Sequence, residues 1–281
     1  MGEFSGCVRG VLVVEWMSPS KTSFGMSNII QPNFFIIGAA KSATTSLSSL
    51  LETHPEAGMV RRKEAHFFSF DQNYIRGWEY YLTQFSHCAG KKAIGDASTS
   101  YSRIRYYPNT LPRLHHHAPD AKIIYMVRHP IKRMESAYIE HACAPKSQAF
   151  PSINDAIRHL SMIVDSSRYW EVFDAYRQKF DESRIKIVWF EEYVADQAAV
   201  FKDVCRYLEI DDSFVPDFSA ERTNSRENAA TRMTRLGRSD IKLDVTWDEG
   251  VRQWVIDQIR EDNLQFLAHF GRPKNYWGEL F

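Results

Sequence analysis

The apolar positions of the chain follow two rhythms. Phe34-Phe35-Ile36-Ile37 is an unbroken apolar run that ends at Gly38, which predicts a buried strand. Leu47, Leu50 and Leu51 then recur at helical spacing behind a group of Ser and Thr residues, so a helix is predicted from Thr44 to Leu51. Ile123 to Val127 predicts a second buried strand, with a helix after it from Ile131 to His141, and Ile185 to Phe190 predicts a third strand. Helical periodicity returns at Ile153, Ala156, Ile157 and Leu160, at Val200, Val204, Tyr207 and Leu208, and at Val251, Trp254, Val255 and Ile259. Strands that alternate with helices imply an α/β fold, a central parallel sheet with helices on both faces. No repeat or linker divides the chain, so residues 31–281 read as one domain and residues 1–30 as an N-terminal extension. Residues 215–245 are polar and weakly periodic, which predicts a long loop containing Arg222, Arg226, Arg232, Arg235 and Arg238.

Charge narrows the classes of partner. The 35 Lys and Arg residues are balanced by 35 Asp and Glu, whereas a nonspecific nucleic-acid binder carries a basic excess. A zero total still permits a local basic pocket, which is all that an anionic ligand needs. None of the four cysteines (Cys7, Cys88, Cys143, Cys205) forms a CxxC pair, so no zinc or redox motif is read, and reduced thiols in a cytoplasmic setting are expected. No stretch approaches the ~20 apolar residues of a membrane span. Val11 to Met17 is interrupted by Glu15 and is shorter than a signal-peptide core.

The segment between the first strand and helix carries chemistry. Gly38-Ala39-Ala40-Lys41-Ser42-Ala43-Thr44-Thr45-Ser46 puts small residues, four hydroxyls and a lysine at a helix N-terminus. Backbone N–H groups and the helix dipole there favour an anion, Lys41 adds a full charge, and Ser42, Thr44, Thr45 and Ser46 add donors. The loop departs from the GxxxxGK[ST] pattern, since Ala40 stands where the second glycine belongs, which disfavours a nucleotide kinase. A second motif, Arg128-His129-Pro130-Ile131-Lys132-Arg133-Met134-Glu135-Ser136-Ala137-Tyr138, follows the second strand. Arg128 thus falls at a strand's C-terminal end, where open α/β sheets bind ligands, and with Ser136 it makes a reasonable phosphate-binding pair. His115-His116-His117 point in different directions on a helix, so they are not read as one metal site.

Together the two motifs resemble those of sulfotransferases that use 3′-phosphoadenosine 5′-phosphosulfate (PAPS), from about Asn33 to Phe214. The look is that of the heparan sulfate (glucosaminyl) branch and its bacterial relatives. The resemblance implies a P-loop-like fold in which Lys41, Ser42, Ala43, Thr44, Thr45 and Ser46 hold the 5′-phosphosulfate, and Arg128 and Ser136 hold the 3′-phosphate. It implies a loop closing over that phosphate, with Arg226 as the candidate contact. Arg61-Arg62-Lys63-Glu64-Ala65-His66-Phe67-Phe68 resembles the branch's K-E-x-H-F-F segment, which implies Glu64 as the base that takes the acceptor's proton and His66 as its support or competitor. Asp96, in a stretch that resembles an acceptor-site segment, is a third candidate base. Ala43 stands where many members have glycine, Ser46 where cytosolic members have tryptophan, and Ala97 where relatives carry lysine. The implied reaction passes a sulfuryl group from PAPS to a hydroxyl or amine of a saccharide or other small molecule, leaves adenosine 3′,5′-bisphosphate (PAP), and requires no metal. A kinase, or a nucleotide-binding protein without catalysis, is the alternative.

Overall fold

A computed structural model describes residues 30–144, 147–219, 231, 234, 235, 237 and 243–281. Its centre is a five-stranded, wholly parallel sheet of β1 (Phe34–Gly38), β2 (Ala57–Met59), β3 (Ala93–Ala97), β4 (Lys122–Val127) and β5 (Ile185–Trp189), in the order β2-β3-β1-β4-β5. The helices are α1 (Thr44–Thr53), α2 (Asp71–Tyr74), α3 (Trp78–Leu82), α4 (Thr110–His117), α5 (Pro130–Ala142), α6 (Ile153–His159), α7 (Ser161–Asp165), α8 (Tyr169–Arg177), α9 (Phe190–Ala195), α10 (Gln197–Leu208) and α11 (Glu249–His269).

The unbroken apolar runs are explained by burial on both faces of the sheet. Phe34 and Ile36 of β1, with Ile124 and Met126 of β4, pack under α1 and α10. Phe35 and Ile37, with Ile123, Tyr125 and Val127, pack under α4, α5, α8 and α11. In α1 the positions predicted from periodicity, Leu47 and Leu51, are fully buried. Burying each contributes about 1.5–3 kcal/mol. α5 begins with Pro130, whose missing N–H costs nothing in a first turn. α10 and α11 begin at Asp196 and Asp248, whose carboxylates accept the N–H groups of Ala199 and Val251.

The connection from β1 leaves through α1 on one face, and that from β4 leaves through α5 on the other. β1 and β4 are neighbours, so their C-terminal ends form the topological switch point where this class of sheet opens a crevice. The strands β2 and β3 escape an apolar-run reading, because both are short and β3 reads Ala-Ile-Gly-Asp-Ala. Gly95 within it is required by packing: a Cβ there lies 2.1 Å from Cζ of Phe34. Arg226, and most of the loop predicted for 215–245, lie outside the described residues, as does the 1–29 segment.

Candidate active site

The loop from Gly38 to Ala43 sits in the crevice at the end of β1. It is pressed against the 3-10 turn Thr99–Ser102 that follows β3: a Cβ on Gly38 lies 2.2 Å from Oγ of Ser102. Lys41 (φ 74°) and Ala43 (φ 67°) adopt the left-handed backbone that favours glycine. That conformation gives a physical reason for glycine at position 43 in other loops of this kind, and Ala43 tolerates it at a cost of about 1–2 kcal/mol. α1 starts without a side-chain cap, leaving its first N–H groups to the loop. The Oγ of Ser42 is fully buried and has no hydrogen-bond partner among the described residues. A buried hydroxyl left unpaired costs about 1–3 kcal/mol, so a bound anion's oxygen at this loop would relieve it.

The helix after β4 turns one stripe of side chains toward this loop. Nη1 of Arg133 lies 3.5 Å from the carbonyl of Ala40, and Nζ of Lys41 lies 3.1 Å from Oε2 of Glu140. Ser136, half-buried, stands three residues after Arg133 and four before Glu140, hence on the same stripe. Arg133 is buried, and its guanidinium donates to Oγ of Ser167 (2.7 Å) and to the carbonyl of Ile163. Nη1 of Arg128 donates to the carbonyl of Lys41 (3.0 Å), while its guanidinium lies over the ring of Phe190 at 4.1 Å. The two motifs read separately in the sequence therefore meet across the switch point. The hydroxyl of Ser46 is shared with Tyr193 (2.7 Å) and Gln197 (3.1 Å) of α9 and α10, and so anchors α1 sideways. Thr44 is buried, and Oγ1 of Thr45 receives a hydrogen bond from Lys63.

That last contact ties the loop to the segment bearing Glu64 and His66. Oε2 of Glu64 lies 3.2 Å from Nε2 of His66, and Oε1 accepts from Thr99 at 3.4 Å. Burial pushes the Glu64 carboxyl upward, but the hydrogen bond from His66 and the charges of His66, Lys63 and Arg103 outweigh it and hold it below its ordinary value. Behind His66 runs a chain of hydroxyls. Thr110 donates to Oγ of Ser69 (3.2 Å), Ser69 lies 2.8 Å from Oγ of Ser100, and Ser100 lies 2.7 Å from Nδ1 of His66. The ionised Glu64 carboxylate has no proton to give, so Nε2 of His66 donates to it; Nδ1 of the neutral ring then accepts from Ser100, and Ser100 in turn accepts from Ser69. The imidazole proton then belongs on Nε2, facing Glu64. Asp96 is differently placed. It is fully buried in β3, and its oxygens accept from Tyr81 (2.7 Å), Tyr101 (2.6 Å) and Ser98 (2.8 Å). Burial raises its pKa. Nearby, Tyr81 is buried, Trp78 packs against the core and stacks on His117 at 4.4 Å, and Tyr80 is exposed.

Comparison with known proteins fits this geometry. A family model described as "Sulfotransferase domain" matches residues 31–258. A "Membrane-associated sulfotransferase kil1" of Dictyostelium discoideum is 33% identical over 130 residues, 46% of this chain and 27% of that protein. The human "Heparan sulfate glucosamine 3-O-sulfotransferase 6" is 29% identical over 175 residues, 59% of this chain and 49% of that protein. The chain thus spans half or less of the length of these curated relatives. Among the described residues no helix is long and apolar enough to cross a membrane. A crystal structure of a sulfotransferase from Alicyclobacillus acidocaldarius superposes with a TM-score of 0.68 at 28% identity, over 86% of this chain and 97% of that one. The sulfotransferase domain of the curacin biosynthetic pathway, at 15% identity and a TM-score of 0.51 over 82% of this chain and 97% of that one, shares the fold.

Proposed function

The chain belongs to the sulfotransferase family, and on that footing we propose that it transfers a sulfuryl group from PAPS to a hydroxyl or amine of a saccharide or similar small acceptor. The observation that carries this reading is the junction between Lys63 and Thr45, which sets the Glu64 segment directly against the anion-binding loop. A base and a leaving-group site are thereby neighbours, as in-line transfer demands.

The residues fit a doubly phosphorylated nucleotide. The loop offers the unpaired Ser42 hydroxyl, the uncapped start of α1 and Lys41, and α5 adds Ser136 beside Arg128. PAPS supplies the activated sulfuryl group. Lys41 would stabilise negative charge growing on the bridging oxygen, exchanging its contact with Glu140 for that oxygen. Arg128 and Ser136 would hold the 3′-phosphate and so fix the nucleotide's orientation.

Of the three candidate bases, Glu64 alone has the chemistry. Asp96 has no free oxygen facing solvent and is enclosed by three hydroxyl donors. His66 presents N–H, a donor, toward the site, because its Nε2 faces the Glu64 carboxylate. Glu64, about one-third exposed, keeps its carboxylate beside the site and accepts from His66 and Thr99. His66 is then a positioning residue for Glu64. The test is transfer of labelled sulfate from PAPS to a panel of glucosaminyl saccharides, simple sugars, phenols and amines. Labelled product with an equal amount of PAP supports the reading. PAP binding with no acceptor labelled would leave a nucleotide-binding protein without this activity.

A further inference from the structure

Arg103 is the residue next to the Thr99–Ser102 turn, the turn that contacts Glu64 through Thr99 and His66 through Ser100. It is half-buried, its Nε is shielded from solvent without a hydrogen-bond partner, and its guanidinium makes no ion pair among the described residues. Its neighbours differ. Arg105, two residues on, is held by Glu171 and Asp165. These two carboxylates line a crevice with Arg103, yet they are already taken by Arg105, by Arg168 and by the hydroxyl of Tyr106. The cation is close enough to Glu64 to lower its pKa and close enough to Arg133 to repel it. Through the turn it is joined in the chain to the contacts that hold Glu64 and His66. A desolvated guanidinium donor with no acceptor is costly, and a planar fork of donors matches an oxyanion.

We propose that Arg103 is a binding residue for an oxyanion placed beside Glu64, distinct from the two phosphates of the nucleotide. The inference rests on the sulfotransferase reading above. Two sources carry this chemistry: the sulfuryl oxygens of the donor, and a sulfate or carboxylate substituent of the acceptor.

The experiment uses the full chain, PAP, PAPS and inorganic sulfate as probes. The wild-type PAP complex is titrated with sulfate against sodium chloride at matched ionic strength, following the melting temperature, and calorimetry gives the affinities for PAP and PAPS. The wild-type PAP complex should be stabilised by sulfate specifically. In Arg103→Gln that response should weaken about ten- to a hundredfold, as expected for a lost charged hydrogen bond, with PAP affinity unchanged. Arg103→Lys, which keeps the charge and loses the fork, should retain part of it. A PAPS-over-PAP preference that also disappears in Arg103→Gln assigns the site to the donor's sulfuryl group, and a preserved preference assigns it to the acceptor. A wild-type PAP complex that ignores sulfate, or an Arg103→Gln variant with the wild-type sulfate response, overturns the proposal. Failure of wild type to bind PAP at all would instead remove the reading on which it rests.

Discussion

Ser100→Ala isolates the hydroxyl chain behind His66. Ser100 is buried, and its Oγ serves two partners, Nδ1 of His66 at 2.7 Å and Oγ of Ser69 at 2.8 Å. Alanine removes both bonds. The Ser69 hydroxyl, itself buried, then has a proton and no acceptor, which costs about 1–3 kcal/mol. His66 is partly exposed, so water can recover some of the loss at Nδ1. The expected destabilisation is therefore about 1–3 kcal/mol, measured as a shift of the urea midpoint at unchanged slope. A hydroxyl without this role would change stability by about 0.5 kcal/mol or less. Nitrogen-15 spectra of labelled histidine supply the second readout: wild type should show His66 protonated on Nε2, and Ser100→Ala should populate both tautomers. Ser69→Ala should lower stability yet leave the tautomer alone, because Ser100 still donates to Nδ1. Midpoints of both variants within about 0.5 kcal/mol of wild type, or an Nδ1–H tautomer in wild type, would refute the donor ordering.

Glu64→Gln should retain fold and PAP affinity while losing about 10²–10⁴-fold in turnover. Glu64 acts as a base only when ionised, and its pKa lies below the ordinary 4.5, so activity should persist to below that pH, fall as pH drops through the lowered value, and show no such limb in Glu64→Gln. Asp96→Asn should do the reverse, lowering the melting temperature by setting an amide donor against hydroxyl donors, without a selective loss of turnover relative to PAP binding. Lys41→Ala should abolish transfer with a modest effect on PAP affinity, whereas Arg128→Ala should chiefly weaken PAP binding; equal PAP affinity in Arg128→Ala and wild type would contradict the two-phosphate assignment.

The parts of the site that were legible in the sequence are those set by local pattern. Phe34 to Gly38 and Lys122 to Val127 are buried on both faces, so their apolar runs announce them, and the loops after them inherit a position at the sheet's C-terminal edge. Pro130 and the spacing of Leu47, Leu50 and Leu51 mark the helices that follow. β3 was hidden because its core contacts are made by Ala, Gly and a buried aspartate satisfied by tyrosines from other segments. The Glu64–His66–Ser100–Ser69–Thr110 network joins three stretches of chain, and no local spacing encodes it. Ser46 shows the limit from the other side. It belongs to a Ser/Thr cluster at a helix start, yet its hydroxyl faces Tyr193 and Gln197, residues some 150 positions away. The partners of Lys41 and Lys63, namely Glu140 and Thr45, likewise depend on how α5 and the segment after β2 pack around the loop.

The account stands most directly on what the crevice between β1 and β4 binds. Calorimetry of the same protein with PAP, with adenosine 5′-monophosphate, and with ATP plus magnesium is the deciding measurement. PAP should bind at least about tenfold more tightly than the monophosphate, since charged hydrogen bonds to the 3′-phosphate are worth roughly 1.5–3 kcal/mol each, and it should bind without magnesium. Equal affinities for PAP and the monophosphate, or a magnesium-dependent preference for ATP, would contradict it.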